Sequence, residues 1–103
     1  ILYASHIARV QRVQAHHLHR YLNRMITLIG YPITIKTVFT SARQVMAFFS
    51  FEDETALYET VLFPEVYRRY ERLLANRLPL LITGVVTQDE GAITVEVRSL
   101  RSL

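Results

Sequence analysis

Apolar and polar residues alternate along most of this 103-residue chain, which is typical of short strands. Residues 25–40 are rich in β-branched side chains and predict one long first strand. Gly30 and Pro32 are placed in it for a bend or a bulge, because a strand that long must bend to serve two sides of a barrel. Two more strands are predicted at about 45–52 and 57–63, joined by an acidic turn.

A single amphipathic helix is predicted after the third strand. Pro64 suits its first turn and Asn76 is a typical residue for its end. The apolar stripe of this helix consists of Tyr67, Tyr70 and Leu74. A fourth strand follows at about 80–87, with Gly84 as a second bend, and a turn leads into a cleanly alternating fifth strand. The turn comprises Asp89, Glu90 and Gly91, and the inward positions of the last strand are Ile93, Val95 and Val97.

This order of elements predicts a mainly β fold, the five-stranded Greek-key OB-fold barrel, with one helix between strands three and four and a short N-terminal helical leader. Residues 1–23 are predicted to be this leader, partly helical and packed on the barrel. Its docking contacts are expected from Leu18, Tyr21 and Leu22. Residues 24–103 are predicted to be the OB-fold domain. Barrels of this kind commonly hold single-stranded nucleic acid or sugars.

The period of two along strands divides the second and third strands into a core face and an outer face. Glu52 identifies the outer face, because burying this carboxylate unpaired would cost several kcal/mol. The predicted core residues are Ala47, Phe49, Phe51, Tyr58, Thr60 and Leu62. The predicted outward residues are Met46, Phe48, Ser50, Glu52, Leu57, Glu59, Val61 and Phe63. Phe48 is therefore an aromatic ring on a largely polar outer face.

That outer face is the candidate binding site. Phe48 is predicted to stack on a base, Lys36 and Arg43 to contact phosphates, and Gln88 in the last hairpin to add a polar contact. The acids of the same face, Glu52 and Glu59, would repel phosphate. The alternative interpretation is that the leader or a neighbouring domain covers Phe48.

The charge of the chain is unevenly distributed. The net charge is +3, yet the first 24 residues contain four arginines and no acid, so the remainder is slightly acidic. Strong sequence-independent phosphate binding draws on many cations, and the barrel does not have them. There is no cysteine, which excludes disulfides and thiolate metal sites and fits a reducing compartment. The apolar runs are far shorter than the ~20 residues of a membrane span, so a soluble cytoplasmic protein without a membrane partner is expected. The start at Ile1 suggests a processed product or a piece of a longer chain.

The acidic turn and its flanking strands also carry a family resemblance. Thirteen positions match, without a gap, the core motif of the OB domain near the carboxyl end of the bacterial replicative DNA polymerase III alpha subunit and its error-prone relatives. They are Met46, Phe48, Ser50, Phe51, Glu52, Asp53, Glu54, Thr55, Tyr58, Glu59, Phe63, Pro64 and Tyr67. Residues 20–100 resemble the domain more loosely.

The resemblance implies a non-catalytic domain that contacts single-stranded template DNA, with other domains or subunits of the polymerase as partners. The parent would be a DNA-directed DNA polymerase. The first loop departs from the family, since Arg43 remains where a Lys-Lys-Gly-rich stretch is usual, and Tyr31-Pro32 replaces a usual Trp-aliphatic pair. Ala56 replaces a turn glycine, which would cost on the order of 1 kcal/mol if that position needs a positive φ.

Other chemistries are less well supported by the residues, and no cofactor, metal or small-molecule substrate is expected. The acids Glu52, Asp53 and Glu54 could ligate Mg²⁺, although adjacent acids at a strand end more often form a solvated turn. The histidines His6, His16, His17 and His19 could bind zinc or copper, but no fourth ligand lies nearby in sequence. Ser50 has no partners for a catalytic triad. The helix arginines Arg68, Arg69 and Arg72 could hold a nucleic-acid backbone, but Glu65 and Glu71 lie three or four residues from them, which favours a salt-bridged solvent face.

Two further functions stay open at this point. The outward apolar residues Leu57, Val61 and Phe63 would suit a protein-docking module that positions neighbouring polymerase domains, with weak or no DNA binding. The third hypothesis is an RNA-binding OB module of the anticodon type.

Overall fold

The computed structural model describes residues 11–103. Its helices are a 3-10 helix at Ala15–Tyr21 and an α-helix, α1, at Pro64–Ala75. The strands are β1 Met25–Phe39, β2 Val45–Glu52, β3 Leu57–Leu62, β4 Leu80–Asp89 and β5 Ala92–Ser102. The bounds of α1 and of β1 to β4 lie within about two residues of the predicted ones. The predicted leader positions before residue 11, among them His6, lie outside the described residues.

The five strands close into a barrel in the order β1-β2-β3-β5-β4. All neighbours are antiparallel except β3 and β5, which pair in parallel over Glu59–Val61. β1 closes the barrel, because it pairs with β4 through residues 25–30 and with β2 through residues 31–39. The α-helix connects β3 to β4 and packs Leu74 against the barrel. The predicted OB-fold is confirmed.

The barrel interior contains the residues that the strand alternation predicts. Phe49 and Phe51 are 1% and 0% exposed, and their rings stack with centroids 5.2 Å apart. Thr60 is fully buried and donates its hydroxyl to the Phe49 carbonyl at 3.0 Å. Tyr58 is also buried and donates to the Ile29 carbonyl at 2.7 Å. Burial, with a smaller contribution from the charge of Asp53, raises the pKa of Tyr58, so its phenol remains a donor.

One prediction for the outer face is wrong, because Val61 is only 8% exposed. Its register partners are Phe48 on β2 and Glu96 on β5. Directly opposed side chains on adjacent strands lie within about 5 Å of one another, so these two longer side chains flank the valine. Leu57 and Phe63 are exposed as predicted.

Both predicted bends coincide with irregular register. The β1–β2 register shifts between Pro32 and Thr34, and the β4–β5 register shifts between Thr83 and Gly84. A Cβ at Gly30 would meet the side chains of Phe51 and Tyr58, each at 2.8 Å. Glycine at this position therefore allows β1 to bend close over the core.

The chain turns at the predicted positions. Asn23, before β1, has a φ of 64°, and the β4–β5 hairpin turns through Glu90 at 51° and Gly91 at 84°. Two consecutive positive φ values define the two-residue turn that matches strand twist. Asn76 is the C-cap of α1, and the left-handed residue is Arg77, which follows it. Ala56 is not among the residues with positive φ, so the anticipated cost of alanine there does not arise.

The acidic turn between β2 and β3 holds the leader on the barrel. Asp53 is 7% exposed, so its prediction as part of a solvated turn is wrong. One carboxylate oxygen accepts the backbone N–H of Ala15 at 2.7 Å. The other accepts from the backbone N–H groups of Thr55 and Ala56, at 2.7 and 3.0 Å, and from the Thr55 hydroxyl. Next to it, Glu54 forms a salt bridge with Arg12 at 2.8 Å.

The buried side chains of the 3-10 helix recur every three residues, which matches the three residues per turn of this helix type. Ala15 and Leu18 are buried, and Tyr21 packs half-buried against the same core. The packing predicted for Leu18, Tyr21 and Leu22 is confirmed. Within residues 11–103, no helix has the length and apolar character that crossing a membrane requires.

We expect Asp53→Asn to destabilise the domain by about 2 kcal/mol at pH 7, because hydrogen bonds to a buried charged acceptor are among the strongest. Burial by itself would raise the pKa of Asp53, but the hydrogen bonds from Thr55, Ala15 and Ala56 outweigh it and lower that pKa. A carboxyl with a lowered pKa stabilises the fold above its unfolded pKa of about 3.9 and loses this contribution as the pH falls. Denaturant unfolding from pH 7 to pH 3 measures it.

The difference between wild type and Asp53→Asn should be constant above about pH 5 and shrink below about pH 4. The matched control is Glu52→Gln, since Glu52 is the exposed neighbour. A gap that stays constant down to pH 3, or an equal effect of the control, would contradict the role given to Asp53.

Candidate nucleic-acid interface

A row of register partners crosses the outer side of the barrel at its middle. It begins at Lys36 on β1, includes the exposed ring of Phe48 on β2, and passes over β3, β5 and β4 back to the start of β1. We call it the outer row, and its members are Lys36, Phe48, Val61, Glu96, Val85 and Met25. Both ends of the row are accessible, since Lys36 is exposed and Met25 is 55% exposed, and Phe48 beside Lys36 is 42% exposed.

Lys36 and Phe48 are direct register partners, so the structure brings these two predicted site residues together. A cation beside an exposed ring can hold a phosphate while the ring stacks on the attached base. Lys36 is exposed and forms no salt bridge within residues 11–103. This pair is the centre of the candidate site.

Both acids near the centre of this face have local partners. Glu59 accepts two contacts from the Ser50 hydroxyl, at 2.8 and 2.9 Å. Glu96 forms a salt bridge with Arg98 at 3.2 Å. Glu52 is exposed further along β2, opposite Tyr31. The pairing of Glu96 reduces the repulsion that a phosphate would meet in the outer row, whereas Glu59 keeps its charge.

Arg43 lies in the loop between β1 and β2, outside the outer row. Its φ of 61° and the backbone hydrogen bond from its N–H to the Thr40 carbonyl, at 2.9 Å, define the turn. β2 begins three residues before Phe48, a separation of about 10 Å along the strand. Arg43 can therefore contact a neighbouring phosphate, and its role stays a prediction.

One arginine of the helix lies beside this loop. Arg68 of α1 lines a groove of about 280 Å³ together with Gln44 and Val45. The helix pattern favoured a salt-bridged solvent face over a backbone contact for the helix arginines, and Arg69 fits it, since its guanidinium lies 3.6 Å from Glu65. Only the packing of the helix against the start of β2 shows that Arg68 lies near Gln44, the residue after Arg43.

Gln88 is exposed near the tip of the β4–β5 hairpin and pairs with Ile93. The outer row crosses β4 at Val85, three residues earlier, and strand alternation places Gln88 on the same side of β4 as the buried Val86. Gln88 is thus not brought next to Phe48, and its contact with a ligand also stays a prediction.

The rival chemistries gain no support from the described part of the chain. Both carboxylate oxygens of Asp53 accept hydrogen bonds, one from the leader and the other from its own turn, and Ser50 donates to Glu59. No group of three potential metal ligands occurs within residues 11–103. The rings of His16 and His17 lie 3.9 Å apart on the leader surface.

The search against family models found no match. A search of curated proteins found the error-prone DNA polymerase of Symbiobacterium thermophilum, 31% identical over 86 residues. The match covers 82% of this chain but only 8% of the polymerase, so the chain spans a small part of that relative's length.

Solved structures show the same fold. Asparaginyl-tRNA synthetase from Pyrococcus horikoshii, complexed with asparaginyl-adenylate, matches with a TM-score of 0.69 at 19% identity, covering 91% of this chain and 22% of that chain. The second OB-fold domain of replication protein A from Methanococcus maripaludis matches with a TM-score of 0.52 at 15% identity, covering 80% and 86% of the two chains. At these identities the likeness concerns the fold.

The closed barrel and these structural neighbours define the chain as an OB-fold domain. The sequence match, together with the motif around Asp53, places it among the OB-fold domains of DNA polymerases.

Proposed function

We propose that this domain binds single-stranded template DNA as a non-catalytic part of a bacterial DNA polymerase, either a replicative alpha subunit or its error-prone relative. The observation that carries the proposal is the exposed ring of Phe48 beside Lys36 in the middle of the outer face. In this proposal Phe48 stacks on a base, Lys36 and Arg43 contact phosphates, and Gln88 adds a polar contact. As part of a polymerase the domain would act in the cytoplasm.

The physical properties of the face favour modest affinity without base specificity. Stacking on an aromatic ring tolerates every base and contributes about 1–3 kcal/mol per base. Few cations surround Phe48, so the salt-dependent part of the binding free energy is small. Weak contact suits a domain that must let a template strand slide past.

We expect Phe48→Ala to weaken binding of a labelled oligo-dT of about 12 nucleotides by roughly 5- to 150-fold, the equivalent of one lost stacking interaction of about 1–3 kcal/mol. Fluorescence anisotropy at two salt concentrations measures the dissociation constants. Leu57→Ala is the matched control, because Leu57 is an exposed apolar residue on the next strand of the same face.

Undetectable binding by wild type in low salt, or equal losses in both variants, would contradict the proposal. An RNA oligonucleotide of matching sequence belongs in the same titration. Comparable affinity for RNA and DNA would favour the third hypothesis, an RNA-binding module.

The second candidate function is docking of a neighbouring domain of the same polypeptide. Phe39 is 76% exposed and Ile35 is 41% exposed, both on the part of β1 that pairs only with β2 among the described strands. Leu57 and Phe63 are exposed too, although the burial of Val61 interrupts the apolar patch predicted around them. If docking is the function, hydrogen exchange should slow at Ile35 and Phe39 when the domain is part of a longer polymerase chain. Equal exchange rates in both contexts would reject it.

A further inference from the structure

The end of the leader is fixed to the barrel beside the outer row. Asn23 donates its N–H to the Val86 carbonyl at 2.7 Å, and Val86 donates its own N–H to the Arg24 carbonyl at 3.1 Å. Leu22 forms a β-bridge with the same residue. Residues 20–24, which we call the leader turn, are therefore held in place by the backbone of β4.

The leader turn carries exposed cations without acidic neighbours in sequence. Arg20 and Arg24 are both exposed, and neither forms a salt bridge within residues 11–103. The Arg24 guanidinium lies 5.5 Å from the centre of the Tyr21 ring, a cation–π contact that fixes its direction. Residues 1–24 contain no aspartate or glutamate. The cations of the turn thus remain available to a ligand.

The histidines of the 3-10 helix indicate the same positive environment. His16 and His19 are exposed three residues apart, so they lie in one row on the helix surface. Partial burial, together with the positive charges of Arg20, His16 and His19, lowers the pKa of His17. The Coulombic part of this shift reflects the basic groups that lie close together beside the leader turn.

The outer row connects this turn to Phe48. Met25, the last member of the row, directly follows Arg24 in sequence and is more than half exposed. Four strand-to-strand steps separate Phe48 from Met25, and at about 4.8 Å per step the path is about 19 Å along the surface. OB-folds bind about 4–16 nucleotides, so one strand can cover this distance.

The surface between the two ends does not oppose such a path. Val61 is covered by its longer neighbours and Val85 is half-buried, so neither side chain projects into the path. Glu96, the only acid of the outer row, is paired with Arg98. The path ends on cations at both sides, with Lys36 at one end and Arg24 at the other.

We propose that the leader turn is a second phosphate-binding contact for single-stranded DNA. A strand stacked on Phe48 would cross β3, β5 and β4 and place phosphates on Arg20 and Arg24. This inference rests on the proposed function, since it extends the same binding path to a part of the chain outside the barrel.

The test compares salt dependence in the full 103-residue chain. The double variant Arg20→Gln/Arg24→Gln removes the two contacts, and Arg69→Gln/Arg72→Gln removes the same charge from the solvent face of α1. Each phosphate contact on a single strand contributes about 0.7 to the slope of log K against log salt. We expect the leader variant to lose about 1.4 from the slope with an oligo-dT of about 12 nucleotides, which is a roughly 25-fold loss of affinity at 0.1 M salt. The helix variant should keep the wild-type slope.

Oligonucleotide length supplies a second comparison. A dinucleotide stacked on Phe48 is too short to span the path of about 19 Å to the leader turn, so wild type and the leader variant should bind it equally. Arg20→Gln alone tests the proposal if the double variant unfolds, because no hydrogen bond or ring contact within residues 11–103 involves the Arg20 side chain. This single variant should lose about 0.7 from the slope.

The outcomes separate the two proposals. If Phe48→Ala weakens binding while the leader variants keep the wild-type slope, the second contact is wrong and the proposed function stands. An equal loss of slope in the leader and helix variants would overturn it too, because the effect would then be one of net charge. Absence of binding by the wild-type chain would remove both.

Discussion

Phe51→Ala should lower the free energy of unfolding by about 3–5 kcal/mol, the range for truncating a buried phenylalanine. Phe51 is fully buried between two rings, with the centroid of Phe49 at 5.2 Å and that of Tyr58 at 6.1 Å. Its replacement leaves a cavity in a barrel whose closed backbone cannot collapse to fill it. Denaturant unfolding followed by circular dichroism measures the change.

Phe48→Ala is the control for this prediction, because it makes the same chemical change three positions away on the opposite face of β2. We expect it to cost about 1 kcal/mol or less, since the ring is partly exposed. The two variants should therefore affect different properties of the domain. Phe51→Ala should affect stability strongly, and Phe48→Ala should affect DNA binding strongly. Similar stability losses would contradict the assignment of faces on which the candidate site depends.

Gly84→Ala should lower the free energy of unfolding by about 3 kcal/mol or prevent folding. A Cβ at this position would collide with the backbone carbonyl of Glu96 and lie 2.8 Å from a methyl group of Val95. Over-packing a core costs about 1–3 kcal/mol when side chains can move, and here the obstacle is backbone of a paired strand. Thermal or denaturant unfolding measures the loss.

Gly91→Ala is the matched control, because a Cβ there meets no atom within 4 Å. Its φ of 84° makes alanine unfavourable by about 1 kcal/mol through backbone strain alone. A loss for Gly84→Ala no larger than that of Gly91→Ala would show that β4 and β5 can separate at this point. The pairing of β4 with β5 around the register shift between Thr83 and Gly84 would then not be rigid.

The Gly84 prediction also bears on function. Gly84 precedes Val85, where the outer row passes from β5 to β4 on its way to the leader turn. Close approach of the two strands at this point aligns Glu96 with Val85, and the next residue, Val86, holds Asn23 and Arg24. A substitution that separates β4 from β5 should therefore weaken DNA binding at the leader turn even if the barrel folds.

The Asp53 contacts give a physical meaning to the most family-like part of the sequence. The Glu-Asp-Glu-Thr turn resembles a site of charged chemistry, yet its central carboxylate accepts four hydrogen bonds and holds the leader against the barrel. The same attachment positions the leader turn beside β4. The Glu-Asp-Glu-Thr turn is thus structural in this domain, and the proposed DNA contacts lie outside this turn.

Local regularities made most of the fold predictable. The period of two in β2 and β3 assigned Phe49, Phe51 and Tyr58 to the interior, and Pro64 and Asn76 marked the ends of α1. The candidate site was less predictable. The pairing of Lys36 with Phe48 depends on the register between two strands, and the bulge after Pro32 sets that register. Val61 was misjudged because its exposure depends on the length of its neighbours on two other strands.

By itself, the sequence determined the strands, the helix, the inward face of each strand and the exposed ring of Phe48, because these depend on spacing within one segment. Only the tertiary structure decided that Asp53 is buried and bonded to Ala15, that Val61 is covered, and that Met25, next to Arg24, ends the row of register partners that includes Phe48. Those features depend on contacts between segments far apart in the chain. Closing the barrel fixes such contacts, and no local pattern of residues encodes them.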